Sequence, residues 1–186
     1  MCQNKTMLQQ QITSHIPPNQ ATFQDLDALI PFPLAGKTLG LGIRTSEVGL
    51  MSIDYVSRPV CFLPQASKSN SLAREVVRQL EAYFADPQWQ FDLPLDLHGT
   101  VSQRRLWNAL QEIPVGSTDT YGRLARQLNS GAQAVGQACR RNPVSVVVPC
   151  HRVLSLQGVG GYGGAVAGEK LNIKLALLAH EGHTQY

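Results

Sequence analysis

Apolar residues recur along this chain with two different periods. Between Leu39 and Val56 they come in short runs broken by glycine, LGLGI and then VGLMSIDYV, which predicts the strands of a hairpin or meander. From Leu72 the spacing changes. Leu72, Val76, Val77, Leu80, Tyr83 and Phe84 fall on one face of a helix that Pro87 ends. Residues 1 to 20 are polar, reach Pro17-Pro18 and read as a loose tail. Arg58 to Ser71, with two prolines and several serines, reads as a loop. Phe91 to Thr100, with Pro94 and Gly99, reads as a connector and divides the chain into domains 1–98 and 99–186.

The second half is built differently. Leu106, Trp107 and Leu110 mark a helix, and Pro114-Val115-Gly116 a turn. Tyr121 to Leu128 predicts a short helix, with Thr118 or Thr120 as its cap. Asn129-Ser130-Gly131 is a tight turn, and Ala132 to Arg141 a second short helix. Two short helices about a glycine turn are the outline of a helix-turn-helix, an outline that also arises by chance. Val144 to Val148 is a β-branched run and predicts a buried strand, ended by Pro149. The fold class expected is therefore α/β (α+β), a sheet-plus-helix half followed by a largely helical one.

Charge sharpens this picture. The net charge of +3 is uninformative, but seven arginines, no lysine and only Glu112 and Asp119 lie between Arg104 and Arg152, a local +5. Such a segment suits a phosphate-binding face; a solvated helical surface is the plain alternative. Hydrophobic residues make up 43% and charged residues 16%, which supports a packed core and excludes wholesale disorder. There is no apolar leader run at the N-terminus and no stretch long enough to span a membrane. The four cysteines form neither a CxxC pair nor a disulfide ladder, so the chain reads as cytoplasmic with reduced thiols. Cys2, Cys61, His15 and His98 match no zinc spacing, and neither metal nor cofactor is expected.

The chemistry concentrates at Pro149-Cys150-His151-Arg152. Cys150 is expected at the mouth of the valine strand, with a histidine beside it that can take the thiol proton directly or through a water. Cys61 and Cys139 lack such neighbours and read as inert buried thiols. Glu181, in LLAHEG, is a candidate to orient His151.

PCHRV, preceded by Asn-Pro and an apolar run, resembles the O6-alkylguanine-DNA alkyltransferases. The resemblance extends from Thr100 to Gly182 through IPVGSTDTYGRLA, the AVG helix, NPVSVVVPCHRV, GYGG and LLAHEG, while residues 1–98 match weakly. It implies a ribonuclease-H-like N-terminal domain and a winged-helix-like helix-turn-helix C-terminal domain. The implied function is DNA repair by direct reversal: single-turnover, irreversible transfer of an alkyl group from O6-alkylguanine, flipped out of duplex DNA, to Cys150. O4-alkylthymine stays open as a further substrate. The protein would act as a monomer.

The resemblance also implies roles. Cys150 is the acceptor, and His151 its base through a bridging water, backed by Glu181. Asn142 ties the DNA-binding helix to the active-site segment. Tyr121 contacts the flipped guanine, and Tyr162, Gly163 and Gly164 close over it. Gly122, Ala132, Gly136, Arg140, Arg141 and Val153 join the DNA and substrate contacts. Arg152 has two readings, a buried ion pair or a phosphate contact, and the family favours the first. Gln133 departs from the pattern, because an arginine normally stands there as the wedge that replaces the flipped base.

Elementary chemistry agrees with these roles. An O6-alkyl group lies inside the duplex stack, so the base must be flipped into a pocket. Glycines at 160, 161, 163 and 164 suit a thin pocket. Displacement at an sp3 carbon favours a soft thiolate, and the thioether product does not hydrolyse at neutral pH. Two alternatives compete. Non-catalytic alkyltransferase-like lesion sensors replace the acceptor cysteine, which is intact here. A cysteine hydrolase would need adjacent Cys and His to face each other, which a strand does not allow.

Overall fold

In a computed structural model of the chain, residues 26–35, 39–57 and 70–184 are described. The polar tail, most of the expected 58–71 loop, Cys2, His15 and Cys61 lie outside them. The described residues form a mixed α/β structure with a three-stranded antiparallel sheet, a two-stranded ribbon and five α-helices. No helix among them is long and apolar enough to cross a membrane.

The expected hairpin is β2 (Leu39–Thr45) and β3 (Leu50–Ser57), with Leu41 opposite Tyr55 and Ile43 opposite Ile53. Its turn is closed by Ser46, whose Oγ accepts the N–H groups of Val48 and Gly49 at 3.1 and 3.2 Å. A strand absent from the hydropathy reading, β1 (Ala28–Pro31), pairs with the other edge of β2. Four residues ending in a proline leave too few alternating positions to register as a pattern.

Helix α1 (Ser71–Ala85) starts at Asn70, whose side chain accepts from Ala73 N at 2.9 Å, and buries Ala73, Val76, Leu80 and Tyr83. It packs over the sheet, as its apolar stripe requires. The connector after it is pinned twice. Gln79 exchanges two 2.8 Å hydrogen bonds with the backbone of Asp92. Leu50 N donates to Pro94 O at 2.8 Å, and Asp96 N donates back to Leu50 O at 3.0 Å.

Helix α2 (Val101–Gln111) opens with a capping box between Thr100 and Gln103 and buries Leu106, Trp107 and Leu110. Trp107 Nε1 donates to Ala138 O at 3.0 Å, tying α2 to α4. The two expected short helices are α3 (Tyr121–Gln127), capped by Thr120, and α4 (Ala132–Arg140). Asn129, at φ 51°, makes the turn between them, in the left-handed region that asparagine tolerates. Strand β4 (Asp119–Thr120) runs parallel to β5 (Val153–Leu154), and α5 (Glu169–His180) closes the fold.

The valine run is not the strand its composition suggests. Val144 makes one isolated bridge to Ile53, and the chain then turns, with Val148 N donating to Val144 O at 2.9 Å. Val146 sits at φ 78°, a costly conformation for a β-branched residue. Asn142 accounts for the difference. Its Oδ1 accepts Val144 N at 3.0 Å and its Nδ2 donates to Val148 O at 2.7 Å, closing the loop from within. Val144, Val146, Val147 and Val148 are still buried, so hydrophobicity is satisfied without a ladder. Cys150 accordingly begins a 3-10 turn, Cys150–Arg152, rather than ending a strand.

The hairpin turn allows a direct test of the connector. A Cβ on Gly49 would stand 2.6 Å from Pro94 O, a backbone atom that cannot swing away. Gly49→Ala is expected to cost about 1–3 kcal/mol through the displaced connector, read as a lower denaturant midpoint with an unchanged slope.

Candidate active site

The turn that follows Pro149 brings three side chains to one place. Cys150 is 5% exposed, and its sulfur accepts a hydrogen bond from Asn142 Nδ2 at 3.2 Å. Asn142 therefore shapes the valine loop and touches the Cys150 sulfur with the same amide. Burial pushes the Cys150 thiol up; the Asn142 amide, the Lys174 ammonium and the Tyr162 hydroxyl pull it back by favouring thiolate.

His151 is fully buried, and its Nε2 lies 3.0 Å from Glu181 Oε1. With Nε2–H donating to that carboxylate, Nδ1 carries the lone pair, and Nδ1 has no protein partner. Burial lowers the His151 pKa, against the pull of Glu181, so the ring is held neutral. His151 and Cys150 make no direct hydrogen bond to each other.

Glu181 caps the C-terminal end of α5 and collects four donors. Tyr83 OH reaches Oε1 at 2.8 Å, His151 the same oxygen at 3.0 Å, and Arg152 spans both oxygens at 2.8 and 2.9 Å. Burial opposes its ionisation, but the hydrogen bonds and charges of His151 and Arg152 outweigh that and hold the carboxyl well below its usual range. Arg152, also bonded to Ile113 O, is thus a buried ion-pair partner rather than a phosphate contact.

Two phenols flank the sulfur. Tyr121 opens α3, donates to Gly161 O at 3.2 Å, and lies between Gly136 of α4 and Gly160. A Cβ at Gly160 would come within 3.2 Å of its ring, which explains the glycine there. Tyr162 is buried, and Gly163 and Gly164 follow it at φ 55° and 85°. A Cβ on Gly164 would strike the Arg140 side chain at 2.5 Å, so the GYGG loop packs directly against α4.

Tyr121, Gly122, Ala132, Gly136 and residues 154–157 line an open groove of about 470 Å³. Gln133, Ala132, Arg140 and Arg141 are exposed on and just beyond α4. Val153 is fully buried and its carbonyl is occupied by Lys174, so it supports the site from behind. A depression of about 510 Å³ at Thr45, Ser46, Glu47 and Asn70 to Leu72 contains no cysteine or histidine.

Three residues of the site escaped the sequence reading. Lys174 is fully buried, donates to the carbonyls of Val153, Val159 and Gly161 at 2.6, 2.7 and 3.2 Å, and stands 5.9 Å from the centre of the Tyr121 ring. Burial lowers its pKa to about 8, while the Cys150 and Cys139 thiols oppose the shift. Its signal was available, since Ile173, Lys174, Leu177 and Leu178 share one helical face and a lysine on an apolar face needs a reason. Tyr83 and Tyr55, by contrast, read as ordinary core aromatics.

Comparisons with known proteins converge. Residues 101–183 match the family model described as 6-O-methylguanine DNA methyltransferase, DNA binding domain. The methylated-DNA--protein-cysteine methyltransferase of Mycobacterium leprae is 44% identical over 147 residues, covering 77% of this chain and 84% of that protein. Its Methanosarcina acetivorans counterpart is 46% identical over 155 residues, covering 82% and 92%. The crystal structure of Mycobacterium tuberculosis OGT in complex with DNA aligns at a TM-score of 0.65 and 36% identity, covering 84% of this chain and 92% of that one.

The ion cluster generates a stability prediction. Glu181→Gln leaves Arg152 buried without an opposite charge and is expected to cost about 3 kcal/mol in denaturant unfolding. In the parent, His151 and Glu181 both have lowered pKa values, so the unfolded chain binds more protons than the folded one. The contribution of these two groups is complete above the ordinary histidine value of 6.5 and falls as pH drops below it. It falls further below 4.5, where an unfolded glutamate protonates. Glu181→Gln makes that second decline shallower, Glu75 and Asp96 supplying the rest, which urea midpoints measured against pH will display.

Proposed function

The chain belongs to the methylated-DNA–protein-cysteine methyltransferase family, and on that premise we propose that Cys150 is the residue that takes the alkyl group from guanine O6. Proteins of this family repair DNA by moving the alkyl group onto a cysteine of their own, and that is the activity of this chain. One observation carries the assignment to Cys150: its buried sulfur receives the Asn142 amide, and the residue that follows it is a buried histidine whose Nε2 is committed to a carboxylate.

The chemistry follows from these contacts. His151 Nδ1 accepts the thiol proton through a bridging water, and Glu181 orients the ring and balances the charge it gains. Asn142 and Lys174 stabilise the thiolate. The sulfur lone pair attacks the alkyl carbon, the S–C bond forms, and the C–O bond breaks with its electrons going to the guanine. The Tyr121 hydroxyl supplies a proton to the departing base and is reprotonated, through water, by the imidazolium formed on His151, which returns to neutral. Burial holds that phenol un-ionised, as a donor must be. Every bond and electron pair is accounted for by protein, alkyl group and water. The thioether has no route back to thiol, so each chain acts once.

On this reading α3 and α4 are the helix-turn-helix of a winged-helix-like domain spanning 99–186. The described residues before 99 belong to a ribonuclease-H-like domain. DNA is the partner, and α4 presents Ala132, Gln133, Gln137 and Arg140 to it while Val135, Ala138 and Cys139 face inward. The lesion base enters the groove beside Tyr121, under the GYGG loop.

Intact-mass measurement after incubation with duplex DNA carrying O6-methylguanine is expected to find one methyl per chain, on the Cys150 peptide. Cys150→Ser will bind that DNA and gain no methyl, because a hydroxyl without a strong base is a poor nucleophile. Transfer by the serine variant would remove Cys150 from the mechanism.

Gln133 supplies a second test. It lies exposed on the first turn of α4, where it can fill a vacated stack but brings no charge to the phosphates. Unpairing a base costs a few kcal/mol, and each ~1.4 kcal/mol is tenfold in rate. Gln133→Arg is expected to raise the ratio of duplex to free-base repair rates by about tenfold. An unchanged ratio would assign the wedge to another side chain.

A further inference from the structure

Two cations from different helices converge on one exposed turn. Tyr162 and Ala165 exchange backbone hydrogen bonds at 2.8 and 2.9 Å, which makes Gly163 and Gly164 the tip of the GYGG loop, at φ 55° and 85°. Lys170, on the first turn of α5, donates from Nζ to Gly163 O at 3.1 Å, and a Cβ on Gly163 would stand 3.1 Å from its Cδ. On the next residue, a Cβ on Gly164 would stand 2.9 Å from Cζ of Arg140, the last residue of α4. The two glycines therefore let a lysine and an arginine lie against consecutive residues of one tip.

The protein leaves most of their donors unused. Both residues are exposed. An ammonium has three N–H donors and a guanidinium five. Lys170 gives one to Gly163 O, and Arg140 has no acceptor or ion-pair partner among the described residues. Glu169 is the neighbouring acid on α5, and one carboxylate against two cations leaves the tip net positive. The helix also begins at Gly168, which supplies no side-chain cap, so its positive end opens onto the same exposed stretch. Spare donors and unbalanced charge suit an anionic, oxygen-rich ligand. The groove says which one. It is lined by Tyr121, whose hydroxyl is bonded to Gly161 O, two residues before the tip. A base held in that groove carries its anionic groups on the backbone attached to it.

We propose that Lys170 and Arg140 form a phosphate clamp at the GYGG tip, holding the backbone of the lesion strand while its flipped nucleotide occupies the groove beside Tyr121. The inference rests on the reading of this chain as a DNA alkyltransferase, and it adds the start of α5 to the surface that α4 presents. Lys170 is a binding residue and takes no part in making or breaking bonds.

The experiment measures Kd for a duplex oligonucleotide carrying O6-methylguanine across a salt series. The full-length chain is used with Cys150→Ser, so that transfer does not intervene. Lys170→Gln and Arg140→Gln are each expected to lower the slope of log Kd against log salt by about one, the loss of one phosphate contact. Lys170→Arg, which keeps the charge, should keep the slope. Glutamine retains an N–H that can donate to Gly163 O, so the loop contact can survive while the charge is lost. A role confined to loop structure would weaken binding equally at every salt concentration and leave the slope alone. An unchanged slope for Lys170→Gln, or a slope lowered as much by Lys170→Arg, overturns the proposal. The parent chain is incubated with the same duplex and its mass is read. Methyl on Cys150 together with an unchanged Lys170→Gln slope overturns the clamp alone. No methyl on the chain overturns the alkyltransferase reading, and the clamp with it.

Discussion

The carboxylate of Glu181 is buried at the end of α5 and accepts hydrogen bonds from Tyr83 of α1 and from His151 and Arg152 of the turn after Pro149. These groups come from three distant stretches of chain. An ionised carboxylate away from water is tolerable only when its lone pairs are filled and a cation adjoins it. Arg152 meets the second requirement, and Tyr83 and His151 complete the first. The same demand sets the histidine tautomer, since an Nε2–H held by Glu181 leaves Nδ1 as the basic atom. The constraint that stabilises the carboxylate therefore also fixes which ring nitrogen carries the lone pair.

Asn142 is the counterpart at the Cys150 sulfur. Its amide closes the valine loop through two backbone bonds and reaches the sulfur with a third contact. The strained Val146 persists because the loop is over-determined, by the asparagine within and by Ile53 from β3 without. The result is a thiol whose position depends on packing from both halves of the chain. This explains why a segment with no sequence sign of catalysis, the N-terminal sheet and α1, borders the chemistry at Tyr55 and Tyr83.

The groove and α4 share their walls. Gly136, Gly160 and Gly164 allow Tyr121 and Arg140 to lie flat against neighbouring backbone, so α4, the GYGG loop and α3 approach one another closely. Lys174 holds the loop from beneath through three carbonyls. A buried lysine bonded only to carbonyls is costly when charged, and that cost is offset when a thiolate forms nearby. Loop geometry and the charge of Cys150 are thereby linked through one side chain.

Much of this was legible in the order of residues. Local rules predicted the β2–β3 hairpin, α1 and both short helices, because capping, turn residues and hydrophobic period act over a few neighbours. The motif around Cys150, with Asn142, His151, Tyr121 and Glu181, was legible because its members stand at distinctive places in a recognisable order. Three things were not legible. The valine run folds as a turn because one asparagine side chain outcompetes β propensity, and propensity counts backbone preference only. β1 is recruited by the edge of β2, a partner that no short window contains. Tyr55, Tyr83 and Lys174 look like core residues in sequence, and only the packing of the sheet and α1 onto the C-terminal half turns their polar atoms toward the site. The sequence alone determined which reactive groups are present and in what order; tertiary structure decided which of them are buried together, because desolvation and hydrogen-bond satisfaction depend on neighbours that are distant along the chain.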